Sequence, residues 1–98
     1  MRLIPIEDVL YFRADQKYVS VCHRHGTDLI DESLKDLAEE FQADFGRIHR
    51  NALVALRRVE SVEKDQGGGL RVHLRGCEET LPISRRHASD FRRRIQEL

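Results

Sequence analysis

Cationic side chains gather at two places in the second half of the chain. The first cluster, residues 47–51, contains two arginines, a histidine and an asparagine, and it precedes an apolar run at residues 53–56. The second cluster, residues 85–87, is Arg-Arg-His and follows Ser84. A guanidinium presents a planar fork of donors that matches phosphate oxygens or a guanine edge, and the asparagine amide both donates and accepts. These residue types predict a surface that binds an anionic partner.

A solvated turn between two strands is the alternative interpretation of the first cluster. The second cluster weighs against it, because Arg85 and Arg86 fall in the first turn of a predicted helix, where the helix dipole disfavours cations. Free first-turn amides, the Ser84 hydroxyl and two guanidiniums together make a strong anion site. Lys17, in a polar break between two predicted strands, is a third cation that can reach outward. All three groups lie in turns or at element starts, where side chains project.

Neither a metal site nor a catalytic site is predicted. Cys22, His23 and His25 are close in sequence, and His73 and Cys77 lie four residues apart, but neither set has the spacing of a zinc site. Cys22 and His23 point to opposite faces of a predicted strand. No nucleophile elbow or paired-carboxylate site occurs, and the triple glycine is a hairpin turn, not a phosphate loop. The sequence therefore predicts no cofactor and no enzymatic activity.

The aromatic residues favour double-stranded DNA as the anionic partner. All six fit core positions of predicted elements: Tyr11, Phe12, Tyr18, Phe41, Phe45 and Phe91. Proteins that bind single strands stack bases on exposed aromatic side chains, and no such series is predicted here. Arginine pairs with guanine and asparagine with adenine in the major groove of a duplex.

The composition is that of one globular domain. The chain has 98 residues, 40% of them apolar and 35% charged, and no apolar run is long enough to cross a membrane. The zero net charge hides an asymmetry: residues 1–45 carry 5 basic against 10 acidic side chains (−5), and residues 46–98 carry 12 against 7 (+5). Two cysteines and an N-terminus without the apolar run of a signal peptide predict a reducing, cytoplasmic location.

Strands dominate the predicted secondary structure. Alternation and β-branched content indicate strands at residues 9–13, 18–23, 28–32, 53–56, 59–65, 70–74 and 80–83, and a short edge strand at residues 3–4 before Pro5. Pro82 predicts an edge position for the last strand, because proline cannot donate to a ladder.

Two helices are predicted. Ser33 is the N-cap of a short internal helix, whose apolar stripe is Leu34, Leu37, Ala38 and Phe41. Ser84 is the N-cap of a C-terminal helix. Its predicted apolar face consists of Ala88, Phe91, Ile95 and Leu98.

Two stretches resemble a known family. Residues 45–54, Phe-Gly-Arg-Ile-His-Arg-Asn-Ala-Leu-Val, and residues 81–86, Leu-Pro-Ile-Ser-Arg-Arg, are similar in sequence, order and spacing to the LytTR family of bacterial DNA-binding domains. The opening strand pair and the helix start at residues 33–37 fit as well, so the resemblance covers nearly the whole chain. The resemblance implies that the close relatives of this chain are the C-terminal output halves of two-component response regulators.

The resemblance implies a mostly β fold of elongated antiparallel sheets, with one short internal helix and a C-terminal helix, formed by residues 1–98 as a single domain. It also implies that loops, and not a recognition helix, read the major groove. By position, Lys17 matches the first base-contacting loop, Arg50 and Asn51 the second, and Arg85 and Arg86 the third.

The resemblance further implies sequence-specific binding to paired direct repeats in promoters, as a homodimer. Family members are often controlled by phosphorylation of an N-terminal receiver domain, which is missing from this chain. Three positions depart from the family pattern: Asn51 stands where serine is usual, Ala52 where an aromatic is common and Ala55 where asparagine is common.

A protein-interaction module in bacterial signalling is the alternative function. In that interpretation the acidic outer face of the internal helix, with Asp36, Glu39 and Glu40, binds other signalling proteins together with the basic clusters.

Overall fold

Eight strands and two helices make up the described part of the chain, residues 4–98 of a computed structural model. The strands are β1 (Val9–Ala14), β2 (Val19–His23), β3 (Gly26–Ile30), β4 (Phe45–His49), β5 (Ala52–Ala55), β6 (Val59–Lys64), β7 (Leu70–Leu74) and β8 (Thr80–Ile83). The helices are α1 (Leu34–Glu40) and α2 (Arg85–Gln96). Single 3-10 turns precede β1 (Ile6–Asp8) and β6 (Leu56–Arg58). The predicted mostly β fold with two helices is confirmed.

The strands form two antiparallel sheets. The larger sheet has the order β3-β2-β1-β5-β4, and the smaller one has the order β6-β7-β8. The molecule is elongated, with principal extents of 41 × 25 × 24 Å. β8 lies at an edge with Pro82 exposed, as the missing amide of proline requires.

One face of the larger sheet is covered by α1. The Ser33 hydroxyl accepts a hydrogen bond from the Asp36 amide (3.1 Å), which confirms the predicted N-cap. Leu34 and Leu37 are buried against Phe12 and the neighbouring strands, while the acidic residues of α1 remain exposed. The helical period of the apolar residues thus places one face of α1 in the core.

The smaller sheet and α2 cover the other face. The strict alternation of β7 buries Val72 and Leu74 completely. Phe91 of α2 is 1% exposed and belongs to the same core. At Gly46 of β4 the helix comes so near that a Cβ atom would lie 3.3 Å from the Phe91 ring and 2.8 Å from the Leu56 side chain. The small residue therefore lets α2 lie directly on β4.

Four expectations need correction. Leu98 is 60% exposed and Tyr18 is 51% exposed, so neither is a core residue. Leu98 follows the end of α2, and Tyr18 lies in the turn between β1 and β2. Both positions lie outside the regular elements that form the core. Of the predicted edge strand at residues 3–4, Leu3 lies outside the described residues and Ile4 belongs to no strand. The apolar run after residue 51 is strand only as far as Ala55.

Candidate nucleic-acid interface

The turn between β4 and β5 consists of Arg50 and Asn51, both exposed. Its backbone is held from three directions. The Asn51 amide donates to Nδ1 of His49 (3.0 Å), the Asn51 carbonyl accepts from the Ala14 amide (2.8 Å), and the Arg50 carbonyl accepts from Nη1 of Arg47 (3.4 Å). Because the protein satisfies these backbone groups, the side chains of Arg50 and Asn51 remain available to a ligand.

Lys17 lies in the turn between β1 and β2. The Asp15 carboxylate accepts from the backbone amides of Lys17 and Tyr18, each at 3.0 Å, and the Asp15 amide donates to the Tyr18 carbonyl (2.9 Å). The amides of Tyr18 and Lys17 lower the pKa of Asp15, because they stabilise its ionised form. This Asx-type turn fixes the backbone and leaves the Lys17 side chain exposed.

The third predicted group begins α2. Ser84 occupies the N-cap position with extended backbone angles, but its hydroxyl caps no amide of the helix. It instead hydrogen-bonds Nδ1 of His87 (2.8 Å), so the predicted capping bond is wrong although the position is right. Arg85 and Arg86 follow in the first turn, and both are exposed.

Hydrogen bonds join these three segments to one end of the larger sheet. The Ala14–Asn51 bond links the end of β1 to the turn after β4, and the Ser84 amide donates to the Ile48 carbonyl at 2.8 Å. The register pairs Ala14 with Val19 and Arg13 with Ala52, so both turns extend from the same end of neighbouring strands. We call this region the cationic end: the turn at residues 15–18, the turn at residues 50–51 and the first turn of α2.

Among the described residues, none of the five predicted residues has a carboxylate partner. Within residues 4–98 the ion pairs are His23–Asp28, Arg24–Asp8, His73–Glu60 and Arg93–Asp90, and none of them involves Lys17, Arg50, Arg85 or Arg86. Exposed cations without an internal partner keep their donors for an anion.

The sequence did not predict Arg13 as part of this cationic surface. Arg13 is the penultimate residue of β1 and is exposed. Its guanidinium carbon lies 5.9 Å from the centre of the Tyr11 ring, and its partners across the sheet are Ser20 and Ala52. Arg13 therefore stands between the two turns of the cationic end. An arginine at a solvent-facing strand position beside a polar break was the available signal.

Positive charge crowds around His49. Burial is the main cause that lowers the pKa of this half-buried imidazole, and the charges of His87, Arg13, Arg47 and Arg50 lower it further. His49 is therefore neutral at physiological pH, in keeping with the hydrogen bond that its Nδ1 accepts.

The histidines that were considered for metal binding contact other protein groups. His23 hydrogen-bonds Asp28 (2.7 Å), and His73 lies against Glu60 (2.9 Å) and the Cys77 carbonyl (3.0 Å). Among the residues that the structure describes, no group of three His, Cys, Asp or Glu side chains is placed to hold a metal ion. Neither of the two helices is long and apolar enough to span a bilayer, for the same described residues.

The two antiparallel sheets present cations on turns at one end of the larger sheet. Residues 1–96 match the LytTr DNA-binding domain family, and the chain belongs to this family. The predicted resemblance is thereby confirmed.

The chain is similar in sequence to curated proteins that are described as regulatory proteins. The chain is 44% identical over its full length to the positive alginate biosynthesis regulatory protein of Pseudomonas aeruginosa, covering 40% of that protein. It is 33% identical over 87% of its length to an uncharacterized response regulatory protein of Vibrio cholerae, covering 34% of it. The CO-responsive transcriptional regulator of Rhodospirillum rubrum is 33% identical over 86% of this chain and 36% of its own length. The chain thus spans well under half of each relative.

A solved structure shows the same fold. The LytTr DNA-binding domain of a response regulator from Bacillus cereus superposes with a TM-score of 0.84, covering 94% of this chain and 84% of that one, at 24% sequence identity.

Proposed function

We propose that this domain binds double-stranded DNA sequence-specifically, as the output domain of a bacterial two-component transcription regulator. The observation that carries this function is the cationic end. Hydrogen bonds hold its three segments side by side, and the predicted cations have no carboxylate partner within residues 4–98. The three groups are Lys17, Arg50 with Asn51, and Arg85 with Arg86. Arg50 and Arg85 read bases in the major groove, and Lys17, Asn51 and Arg86 reach bases or phosphates.

Several finer features belong to the same proposal. Residues 1–98 form a single domain that acts in the cytoplasm. In the full-length regulator it follows a receiver domain, and two copies bind paired direct repeats in a promoter as a homodimer. Its role is binding and not catalysis, in line with a family of DNA-binding domains in regulators.

A mobility-shift selection from random duplexes identifies the preferred site, and titration of that site tests the function. We expect a discrete shift on the selected duplex and a much weaker one on a scrambled duplex. Because each engaged phosphate releases condensed counterions, log affinity should fall with log salt by about 0.9 for each phosphate contacted. A flat salt response, or equal affinity for both duplexes, contradicts sequence-specific DNA binding. Absence of any shift would favour the protein-interaction alternative.

Arg85→Ala tests the assignment of base reading. We expect the loss of a guanine contact to cost about 1–3 kcal/mol on the selected duplex and less on the scrambled one. Arg93→Ala is the matched control, because Arg93 is an exposed arginine of the same helix that pairs with Asp90. Its affinity should equal that of the wild type. Equal losses on both duplexes for Arg85→Ala would instead identify Arg85 as a phosphate contact.

A further inference from the structure

His49 closes a small ring at the turn that carries two of the proposed contacts. It is the last residue of β4, and the amide that it binds belongs to Asn51, two residues further on (Nδ1 to N, 3.0 Å). A side-chain acceptor that binds the amide two residues ahead has the geometry of an Asx turn, with a ring nitrogen in place of a carboxylate oxygen. The backbone of the turn is therefore fixed by the side chain that precedes it.

The same arrangement occurs a second time in the chain. His23 ends β2, and its Nδ1 accepts from the amide of His25, again two residues ahead (3.2 Å). In both places the sequence is His-Arg followed by a polar residue, and a two-residue turn leads to the next antiparallel strand. Two independent occurrences indicate that the histidine holds the turn itself.

The surroundings of the two rings differ. Nε2 of His23 lies 2.7 Å from an Asp28 carboxylate oxygen. The charged groups that face His49 are Arg13 from β1, Arg47 and Arg50 from its own hairpin, and His87 from α2, all of them cations when protonated. An imidazolium would have no acceptor at Nδ1, and these cations would repel it. The hydrogen bond to Asn51 therefore depends on neutral His49.

We propose that His49 is a positioning residue for DNA recognition: its unprotonated Nδ1 binds the Asn51 amide and so fixes the direction in which Arg50 and Asn51 project. This inference rests on the proposed function, and it assigns His49 to the turn and not to the DNA. Preorganisation of the turn lowers the cost of ordering these side chains on the duplex.

Paired substitutions test the role of the acceptor. His49→Ala removes it, and we expect the Kd for the selected duplex at pH 7.5 to rise about three- to tenfold. His49→Asn places a carbonyl oxygen where Nδ1 stood, and should recover most of that loss, to within about twofold of the wild type. His25→Ala is the control, because His25 is exposed in the other turn. If His49→Asn is as weak as His49→Ala, or if both equal the wild type, the proposal is wrong.

The pH profile separates positioning from a phosphate contact. Asparagine does not titrate, so the ratio of the wild-type Kd to the His49→Asn Kd isolates protonation of His49 from that of other groups. We expect this ratio to rise between pH 7.5 and 5.5, because protonation breaks the bond to Asn51. A ratio that falls would mean that the imidazolium attracts phosphate, which overturns the proposal.

A measurement without DNA distinguishes the two levels of inference. NMR of the free wild-type domain should show neutral His49 with its proton on Nε2, and an Asn51 amide that exchanges more slowly than in His49→Ala. A proton on Nδ1 at pH 7.5, or equal Asn51 exchange in both proteins, overturns the inference even when DNA binding is intact. If no duplex is shifted while the NMR result holds, the proposed function fails and the turn geometry stands.

Discussion

The two ends of the larger sheet use the same residue types for different purposes. At the cationic end, the turn at residues 50–51 follows His49. At the opposite end, which we call the anchored end, the turn at residues 24–25 follows His23. The 3-10 turn Ile6–Asp8 and the start of β4 lie at the same end of the sheet. Both turns begin with arginine, Arg24 in one and Arg50 in the other.

Three arginines at the anchored end are bound by acceptors of the protein. Arg24 lies 3.7 Å from an Asp8 carboxylate oxygen, Arg58 donates to the Glu7 carbonyl (2.8 Å), and Arg94 donates to the carbonyls of Phe45 (2.7 Å) and Gln42. At the cationic end the carboxylate of Asp15 is turned toward backbone amides and pairs with no arginine among the described residues. The comparison teaches that the position of acceptors, and not the number of arginines, decides which guanidiniums keep their donors for an anion.

Phe91→Ala should have the largest effect, because it removes the core contact that packs α2 on the sheet. Phe91 is 1% exposed beside Gly46, and truncation of a buried phenylalanine costs about 3–5 kcal/mol. We expect a lower denaturation midpoint, measured by urea unfolding. A loss below about 1 kcal/mol would show that α2 is held by its polar contacts, such as those of Arg94, instead of by core packing.

Arg50→Ala and Arg24→Ala compare the two turns directly. We expect Arg50→Ala to weaken binding to the selected duplex by about 1–3 kcal/mol, because it removes the proposed base contact. Arg24→Ala should leave the affinity unchanged, because its guanidinium faces Asp8 at the anchored end. Titration by fluorescence anisotropy at fixed salt measures both. Similar losses in the two variants would abolish the distinction between the ends.

His23→Asn should act on stability and not on DNA affinity. Asparagine keeps an acceptor for the His25 amide but loses the bond between Nε2 and Asp28, in a side chain that is 6% exposed. We expect a loss of about 1–2 kcal/mol in the free energy of unfolding. An unchanged unfolding curve, or a weakened affinity for the selected duplex, would contradict the separation of the two histidines.

Asp15→Asn should have the smallest effect, and it should depend on pH. The amides of Tyr18 and Lys17 lower the pKa of Asp15, so its ionised form is stabilised in the folded state. This contribution is present above the unfolded pKa of about 3.9 and is lost as pH falls through the lower folded pKa. The wild type should therefore be slightly more stable than Asp15→Asn at pH 7, and the gap should close in acid. Parallel unfolding curves at pH 7 and pH 2.5 check this, and a gap that persists in acid would contradict it.

Local patterning was sufficient for most elements. The alternation in β7, the Ser33 cap of α1 and the proline of β8 each have a physical cause within a few residues, so the sequence predicted them and the structure agrees. Tyr18 and Leu98 were misassigned because an apolar or aromatic residue in a favourable period is buried only when another layer covers it. A local sequence pattern does not show whether another layer of the structure covers a residue.

The candidate site was also predicted in part from the sequence and decided in part by the tertiary structure. Residue type alone selected Lys17, Arg50, Asn51, Arg85 and Arg86, since few other side chains donate to phosphates and base edges. Which arginines keep their donors depends on acceptors far away in sequence: Arg94 binds the Phe45 carbonyl across 49 residues, whereas Arg50 meets no such group among the described residues. The position of Arg13 between the two turns also follows from strand pairing that no short motif shows.

The sequence by itself determined a mostly β domain with two helices, the Ser33 cap of α1 and cations in its turns, because propensity and polar pattern act over neighbouring residues. Only the tertiary structure decided that the turn at residues 15–18, the turn at residues 50–51 and the start of α2 meet at one end. Backbone bonds from Ala14 to Asn51 and from Ser84 to Ile48 join segments that are distant in the chain, and their partners are chosen by the packing of the whole sheet.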